Sequence, residues 1–307
     1  MIHSDENAYW WIGFIIFVAL MLLLDLKVFN RKAHEVKMKE ALLLSFFWIS
    51  LALIFNVGVW KFLGTEKALE FLTAYLIEES LSIDNLFVFI MIFSYFQIKP
   101  EHQHKILFWG IVGAMVLRGL FIVAGVALIQ RFEWVIYVFG AFLLITAVRM
   151  AIDQGHKIDP EKNPVIRLAR RLIPVTSELH GNRFFVRINA RTFATPLFIA
   201  LIMIEFTDLI FAVDSIPAVL AISDDPFIVY TSNIFAILGL RSLYFALSSI
   251  IRYFRFLKYG LSAILFFVGT KMIVSGFFHI PIFISLGTVF GILLMSILLS
   301  VLIPARK

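Results

Sequence analysis

Nine separate apolar runs, most near 20 residues long, constrain this chain more than any other feature. A run of that length crosses the roughly 30 Å hydrocarbon core of a bilayer as an α-helix, the one form in which a single segment satisfies all of its own backbone polar groups in lipid. The runs lie at about 9–27, 41–62, 71–96, 106–129, 134–152, 195–222, 228–251, 259–278 and 282–303. The expectation is an all-α polytopic membrane protein of about nine transmembrane helices. Composition agrees, because 61% hydrophobic and 16% charged residues lie far from the roughly 45–50% and 25% of soluble domains. The first run lacks a basic n-region and a small-residue cleavage site, so it reads as a mature helix. With no cysteine in the sequence, disulfides, thiolate metal sites and iron–sulfur clusters are excluded. No Walker A motif is present, so ATP does not drive the protein directly.

The placement of basic residues gives an orientation. Of 27 Lys and Arg, 20 fall in loops of one side, Lys61, Lys67 and Arg131 fall on the other, and four lie inside spans. The positive-inside rule then puts the N-terminus outside and the C-terminus in the cytoplasm. Tyr9, Trp10, Trp11, Trp60 and Trp134 sit at outer-interface ends, as an aromatic belt requires. The long cytoplasmic segment 153–194 carries the basic stretch RLARRL and then RFFVRINARTFAT, whose alternation is that of a short hairpin. It reads as a solvated loop drawn toward anionic lipid. His102 and His104, in another cytoplasmic loop, read as surface.

Two of the spans carry acids in their middle: residues 77–89, IEESLSIDNLFVF, and residues 204–219, IEFTDLIFAVDSIPAV. One charge there costs roughly 2.5–3.5 kcal/mol on insertion scales. The stretches share a spacing, Glu78-x5-Asp84-Asn85 and Asp208-x5-Asp214-Ser215. They are read as two halves of one intramembrane cation site, with Glu78, Glu79, Asp84, Asn85, Glu205, Asp208, Asp214 and Ser215 as candidate ligands and Ser82 as a further neutral oxygen. Seven acids fall within the spans, the seventh being Asp25, which is equally placed to be interfacial. Four bases, Arg118, Arg149, Arg241 and Lys271, are available for buried ion pairs that would only fix packing. The excess of acid favours a bound cation. Six residues turn a straight helix through about 600°, so Asp84 lies about 120° from Glu78, and Asp214 the same from Asp208. Local unwinding at Pro217, which frees the Val213 carbonyl, would aim these groups inward; a simple kink is the alternative. No histidine lies at a span centre, and an all-oxygen ligand set suits Mn²⁺, Mg²⁺ or Ca²⁺.

The chain also matches itself at an offset of roughly 120–130 residues. Leu117-Arg118-Gly119-Leu120-Phe121 resembles Leu240-Arg241-Ser242-Leu243-Tyr244, and Arg149-Met150 resembles Lys271-Met272, in the same order as the acidic motifs. Three spans is an odd number, so the copies enter the membrane from opposite sides and form an inverted repeat, an architecture that puts its substrate site near the midplane on discontinuous helices. The expected organisation is one membrane domain over 1–307: peripheral helices in 9–62, the first repeat in 71–152, the cytoplasmic loop 153–194, the second repeat in 195–278 and a last helix over 282–303. That last helix carries Gly287-x3-Gly291, a face suited to close packing.

SLSIDN at 80–85 and TDLIFAVDSIPA at 207–218 resemble the two signature stretches of the TerC family, most closely its Alx-type members, and the likeness covers nearly the whole chain. The resemblance implies an inner-membrane metal-ion exporter, chiefly of manganese, with an older association with tellurite resistance. Carried over by position, the family's acidic residues are Glu78 or Glu79, Asp84, Asp208 and Asp214. The expected function is a secondary transporter that exports a divalent metal ion, Mn²⁺, by exchange for protons. It is expected to be no enzyme and to hold no permanent cofactor; its partners are the metal ion, protons and the lipid bilayer, without nucleic acid. Two rivals stand beside it: an exporter of an anion or amino acid recognised by Arg118 and Arg241, and a redox-modulating or assembly subunit of a membrane complex.

Overall fold

The computed structural model describes residues 4–24, 38–132, 134–152, 173–176, 181–188, 191–248, 256–278 and 280–302. Among them are nine helices, α1 Ser4–Leu24, α2 Met38–Leu63, α3 Thr65–Tyr95, α4 Pro100–Arg131, α5 Val135–Ile152, α6 Pro196–Leu220, α7 Pro226–Ser248, α8 Leu257–Val274 and α9 Ile282–Leu302. Strands β1 Phe185–Ile188 and β2 Arg191–Ala194 precede α6. Seven helices, α2 and α4 to α9, are long and apolar enough to cross a membrane. In α1 only Tyr9–Leu24 is apolar, and α3, although 31 residues long, holds three or more ionisable residues in every stretch of 18. The acidic and basic residues within α3 are what remove it from a count based on hydropathy.

Helix starts follow their sequence signals. Proline opens α4, α6 and α7, where its missing N–H costs nothing. Lys99 and Thr195, each before a proline, have extended backbones (φ −61°, ψ 148° and φ −99°, ψ 165°). Asp225 caps α7, its Oδ1 accepting from the backbone N–H of Phe227 at 2.9 Å. Gly64 alone separates α2 from α3, at φ 93° and ψ 173°, a conformation open essentially only to glycine.

Contacts at the helix ends fix direction. At one face Trp10 of α1 packs on Phe62 of α2 with ring centroids 5.4 Å apart. There Lys67 near the start of α3 donates to Glu70 at 2.8 Å, and Ser223 just after α6 donates to the same carboxylate. At the opposite face Tyr244 near the end of α7 donates to Gln103 at the start of α4 at 3.0 Å, and the Phe256 N–H just before α8 donates to Ser300 near the end of α9 at 3.1 Å. Helices α3 and α6 therefore run antiparallel to each other, as do α4 and α7. Helix α3 packs on α7 and α6, α4 packs on α6 and α7, and α5 packs on α8.

The expected hairpin is present, with Phe185 paired to Ala194 and Ile188 to Arg191. Thr195 Oγ1 donates to the Arg183 carbonyl at 2.7 Å, and Lys105 at the start of α4 donates to the Asn182 carbonyl and sits 4.3 Å from the Phe184 ring centroid. His102 and His104 are not the surface pair expected: they lie within the first turns of α4, which turn them inward, and His104 stacks on Phe245 of α7 at 4.4 Å. The stretch 153–172, which includes RLARRL, lies outside the described residues.

Apolar packing falls into three clusters. One gathers Ala74, Ile77 and Leu81 of α3 with Ala212 and Ile216 of α6 and the buried faces of α5 and α8. A second gathers Leu86, Phe89 and Ile92 of α3 with Leu197, Ile199 and Met203 of α6. The third joins α1 and α2 to α3 and α7 through Phe14, Trp48, Phe71 and Phe235. Along both α3 and α6 the first two clusters are separated by the acidic motifs.

Two expectations are corrected. Gly287 and Gly291 face outward, and a Cβ at either would meet nothing within 4 Å; α9 packs instead through Ser285, Val289, Ser296 and Ser300. The close glycine contact lies between α5 and α8, where a Cβ on Gly140 would stand 2.9 Å from the Gly269 carbonyl oxygen and one on Gly269 equally close to that of Gly140. Helix α6 is also continuous through Pro217. The proline is three residues from the helix end, so its missing N–H loosens one turn without unwinding the segment that carries Asp214.

These contacts yield a stability test. Gly140→Ala or Gly269→Ala should destabilise the detergent-solubilised protein by roughly 1–3 kcal/mol, the usual range for overpacking, whereas Gly287→Ala and Gly291→Ala should leave its melting temperature unchanged. Equal melting temperatures across all four would remove the α5–α8 contact as a fixed point of the fold.

Candidate functional site

The centre of the molecule is an ion cluster built by three helices. Arg118 of α4, 1% exposed, donates from one guanidinium nitrogen to Glu78 of α3 at 2.5 Å. With Nε and its other nitrogen it grips both oxygens of Asp208 of α6, at 3.1 and 2.9 Å. This two-point geometry gives the strong form of an Arg–carboxylate pair. Asn85 Nδ2 adds a bond to Asp208 at 3.3 Å. Glu78, Asp208 and Asn85 are thus brought together as expected, around a base rather than around open space. One Glu78 oxygen remains buried without a hydrogen-bond partner among the described residues.

The remaining candidates divide by helix face. Asp214 and Ser215 of α6 line a small cavity with Ser82 and Asn85 of α3 and Arg118. Asp214 accepts from Thr146 of α5 at 3.1 Å. In that cavity Ser82 Oγ, Asn85 Oδ1 and Ser215 Oγ are all buried without a hydrogen-bond partner among the described residues. Three orphaned oxygens in one place are costly in a low-dielectric interior unless something else engages them. They are the neutral donors that a hard cation takes alongside a carboxylate. The Asp84 side chain and Asp25 lie outside the described residues.

Glu79 and Glu205 are elsewhere. One residue further round α3 than Glu78, Glu79 faces α7, where a Cβ on Gly239 would lie 3.7 Å from its Oε1. Between the paired glutamates, Glu78 is therefore the one in the central cluster. Glu205 fills a notch in α4 made by Gly113, where any Cβ would overlap its carboxylate. Among the described residues no three or more acidic or histidine side chains form a group able to hold a metal ion. A cation site here would rest on Asp214 and neutral oxygens. A second cavity, largely apolar, is lined by Asp208 together with Arg241, Gly110, Ala114 and Ile237.

Sequence reasoning missed Thr146 and the Gly113 notch. Thr146 left a signal, as the one small hydroxyl in the apolar span 134–152, one helical turn before Arg149. Gly113 left none, because its significance depends on which residue of another helix faces it.

Comparison with known proteins places this geometry in a family. Residues 63–307 match the profile of the Integral membrane protein TerC family. A Myxococcus xanthus protein named only as an uncharacterized membrane protein is 53% identical over 95% of this chain and 92% of its own. Relatives from Salmonella typhi and Escherichia coli K12 are named, provisionally, membrane-bound redox modulator Alx. They are 49% and 46% identical, over 94% and 96% of this chain and 93% and 95% of theirs. No solved structure matches the chain. With Glu78 and Asp208 of the two motifs brought together on Arg118 inside a multi-pass membrane fold and its relatives aligned along nearly their full lengths, the chain belongs to the Integral membrane protein TerC family.

Proposed function

We propose that this protein is a secondary transporter that exports a divalent metal ion, Mn²⁺, from the cytoplasm across a bacterial inner membrane in exchange for protons. The observation that carries the reading is that Asn85 and Ser215, the residues that follow the aspartates of the two motifs, meet in one cavity with Ser82 beside the Asp214 carboxylate, the three neutral oxygens having no hydrogen-bond partner among the described residues. Hard divalent cations take such oxygen sets. Family resemblance, rather than ligand chemistry, selects manganese and the outward direction. Protons serve as the exchanged ion because each carboxylate left by the metal is too costly to remain ionised and unpaired in apolar surroundings.

The proposed frame is nine spans, with α1 and α3 added to the seven of purely apolar character, and an inverted repeat of α3–α5 and α6–α8. The antiparallel runs of α3 with α6 and α4 with α7 support it, as does the pairing of α5 with α8. The N-terminus then lies outside and the C-terminus inside. A rival reading takes the name of the Alx relatives at its word, as redox modulation. With no cysteine, the chain has no thiol couple of its own, so any redox effect would be indirect. Export of an anion through Arg118 is disfavoured, because Arg118 is already engaged by two carboxylates.

Five outcomes test these proposals. A reporter fused after Lys307 should report cytoplasm and a tag near residue 5 the outside; both ends on one side would eliminate the nine-span inverted repeat. Asp84→Asn and Asp214→Asn should each abolish Mn²⁺ efflux from proteoliposomes while the protein still accumulates in the membrane. Asn85→Leu or Ser215→Ala should weaken Mn²⁺ binding by roughly tenfold or more, the scale on which supporting groups of metal sites act. Vesicles loaded with Mn²⁺ should acidify inside as the metal leaves. Cellular manganese that does not rise on deletion of the gene would overturn the assignment.

A further inference from the structure

The Arg118–Asp208 pair links two cavities that share no lining residue. Arg118 lines the one that holds Ser82, Asn85, Asp214 and Ser215. Its bidentate partner Asp208 lines the other, with Arg241. The ion pair therefore joins the lining of one cavity to the lining of the other. The charge of the cluster does not close, since Glu78 and Asp208 supply two carboxylates against one guanidinium and one Glu78 oxygen has no partner among the described residues.

We infer that Arg118 is a resident counter-cation, a positioning residue that holds Glu78 and Asp208 while no cargo is present and shuts the passage between the two cavities. Cargo moves from one cavity to the other only as Arg118 gives up Asp208. The inference rests on the transport reading above and adds a role that the ligand set does not contain. An arginine suits the role because its planar fork closes on both oxygens of one carboxylate while keeping a further nitrogen for the second. Its charge cannot be lost to a proton acceptor, so it competes with cargo at every pH. Without it, two carboxylates would stand buried and unpaired, and water would enter to solvate them.

The chain contains no cysteine, which permits single-cysteine reporters in the full-length protein. Met150→Cys reports on the first cavity and Ala114→Cys on the second. Each is reconstituted in oriented vesicles and exposed to a membrane-impermeant thiol reagent from one face at a time. With Arg118 present, the two reporters should react from opposite faces or not at all. With Arg118→Gln, each should react from both faces, and Arg118→Lys should restore sidedness at least in part. Should Arg118→Gln fail to accumulate, Asp208→Asn, which keeps the shape and the Glu78 pair but removes the carboxylate that Arg118 grips at two points, should give the same loss of sidedness. Labelling that stays one-sided or absent in whichever of these proteins accumulates overturns the role of Arg118. No metal enters this measurement, so its failure is distinct from failure of the transport reading, which would appear as wild-type vesicles that move no Mn²⁺.

Discussion

The contact on which this structure depends is the grip of Arg118 on Asp208. A guanidinium in the middle of a bilayer protein is tolerated only when its donors are occupied, and here they are satisfied by carboxylates from helices on either side. That requirement sets the distance between α4 and α6. The two helices approach closely because α4 presents Gly110 and Gly113, where a Cβ would press on Ile204 or overlap Glu205. Small residues on α4 and acids on α6 are thus parts of one solution.

The ion cluster is insulated as well as paired. On α3 and α6 the residues before and after the acidic motifs enter separate apolar clusters. The polar belt is consequently dry on two sides, which strengthens each charged contact and raises the cost of any oxygen left unmatched. The peripheral helices add a third apolar layer through α7, which is buried around most of its circumference and takes polar side chains such as Thr231, Ser232 and Asn233 inside with it.

Much of this was legible in the sequence because membrane insertion leaves few options. Apolar length gave the helices, and charges inside apolar runs gave the central residues: Glu78, Asp208 and Arg118 each stand out for being expensive where they are. What sequence did not reveal was partnership. The excess of acid favoured a cation site over an ion pair, and only the fold assigns Arg118 to Glu78 and Asp208 and leaves Ser82, Asn85 and Ser215 beside Asp214. Gly287-x3-Gly291 was misleading for the converse reason, since small residues permit close packing without requiring it, and α9 found its neighbours through serines. Pro217 was overweighted because its effect depends on its distance from the helix end.

The hairpin before α6 bears on how such a molecule can move. Thr195 ties it to the first turn of α6, and Lys105 ties it to the first turns of α4. These are the two helices joined by the Arg118–Asp208 pair. At the opposite end Gly125 of α4 packs against Leu220 of α6. Tied through the hairpin at one end and held by side-chain packing at the other, the α4–α6 pair has its covalent and hydrogen-bonded anchorage concentrated at the hairpin end.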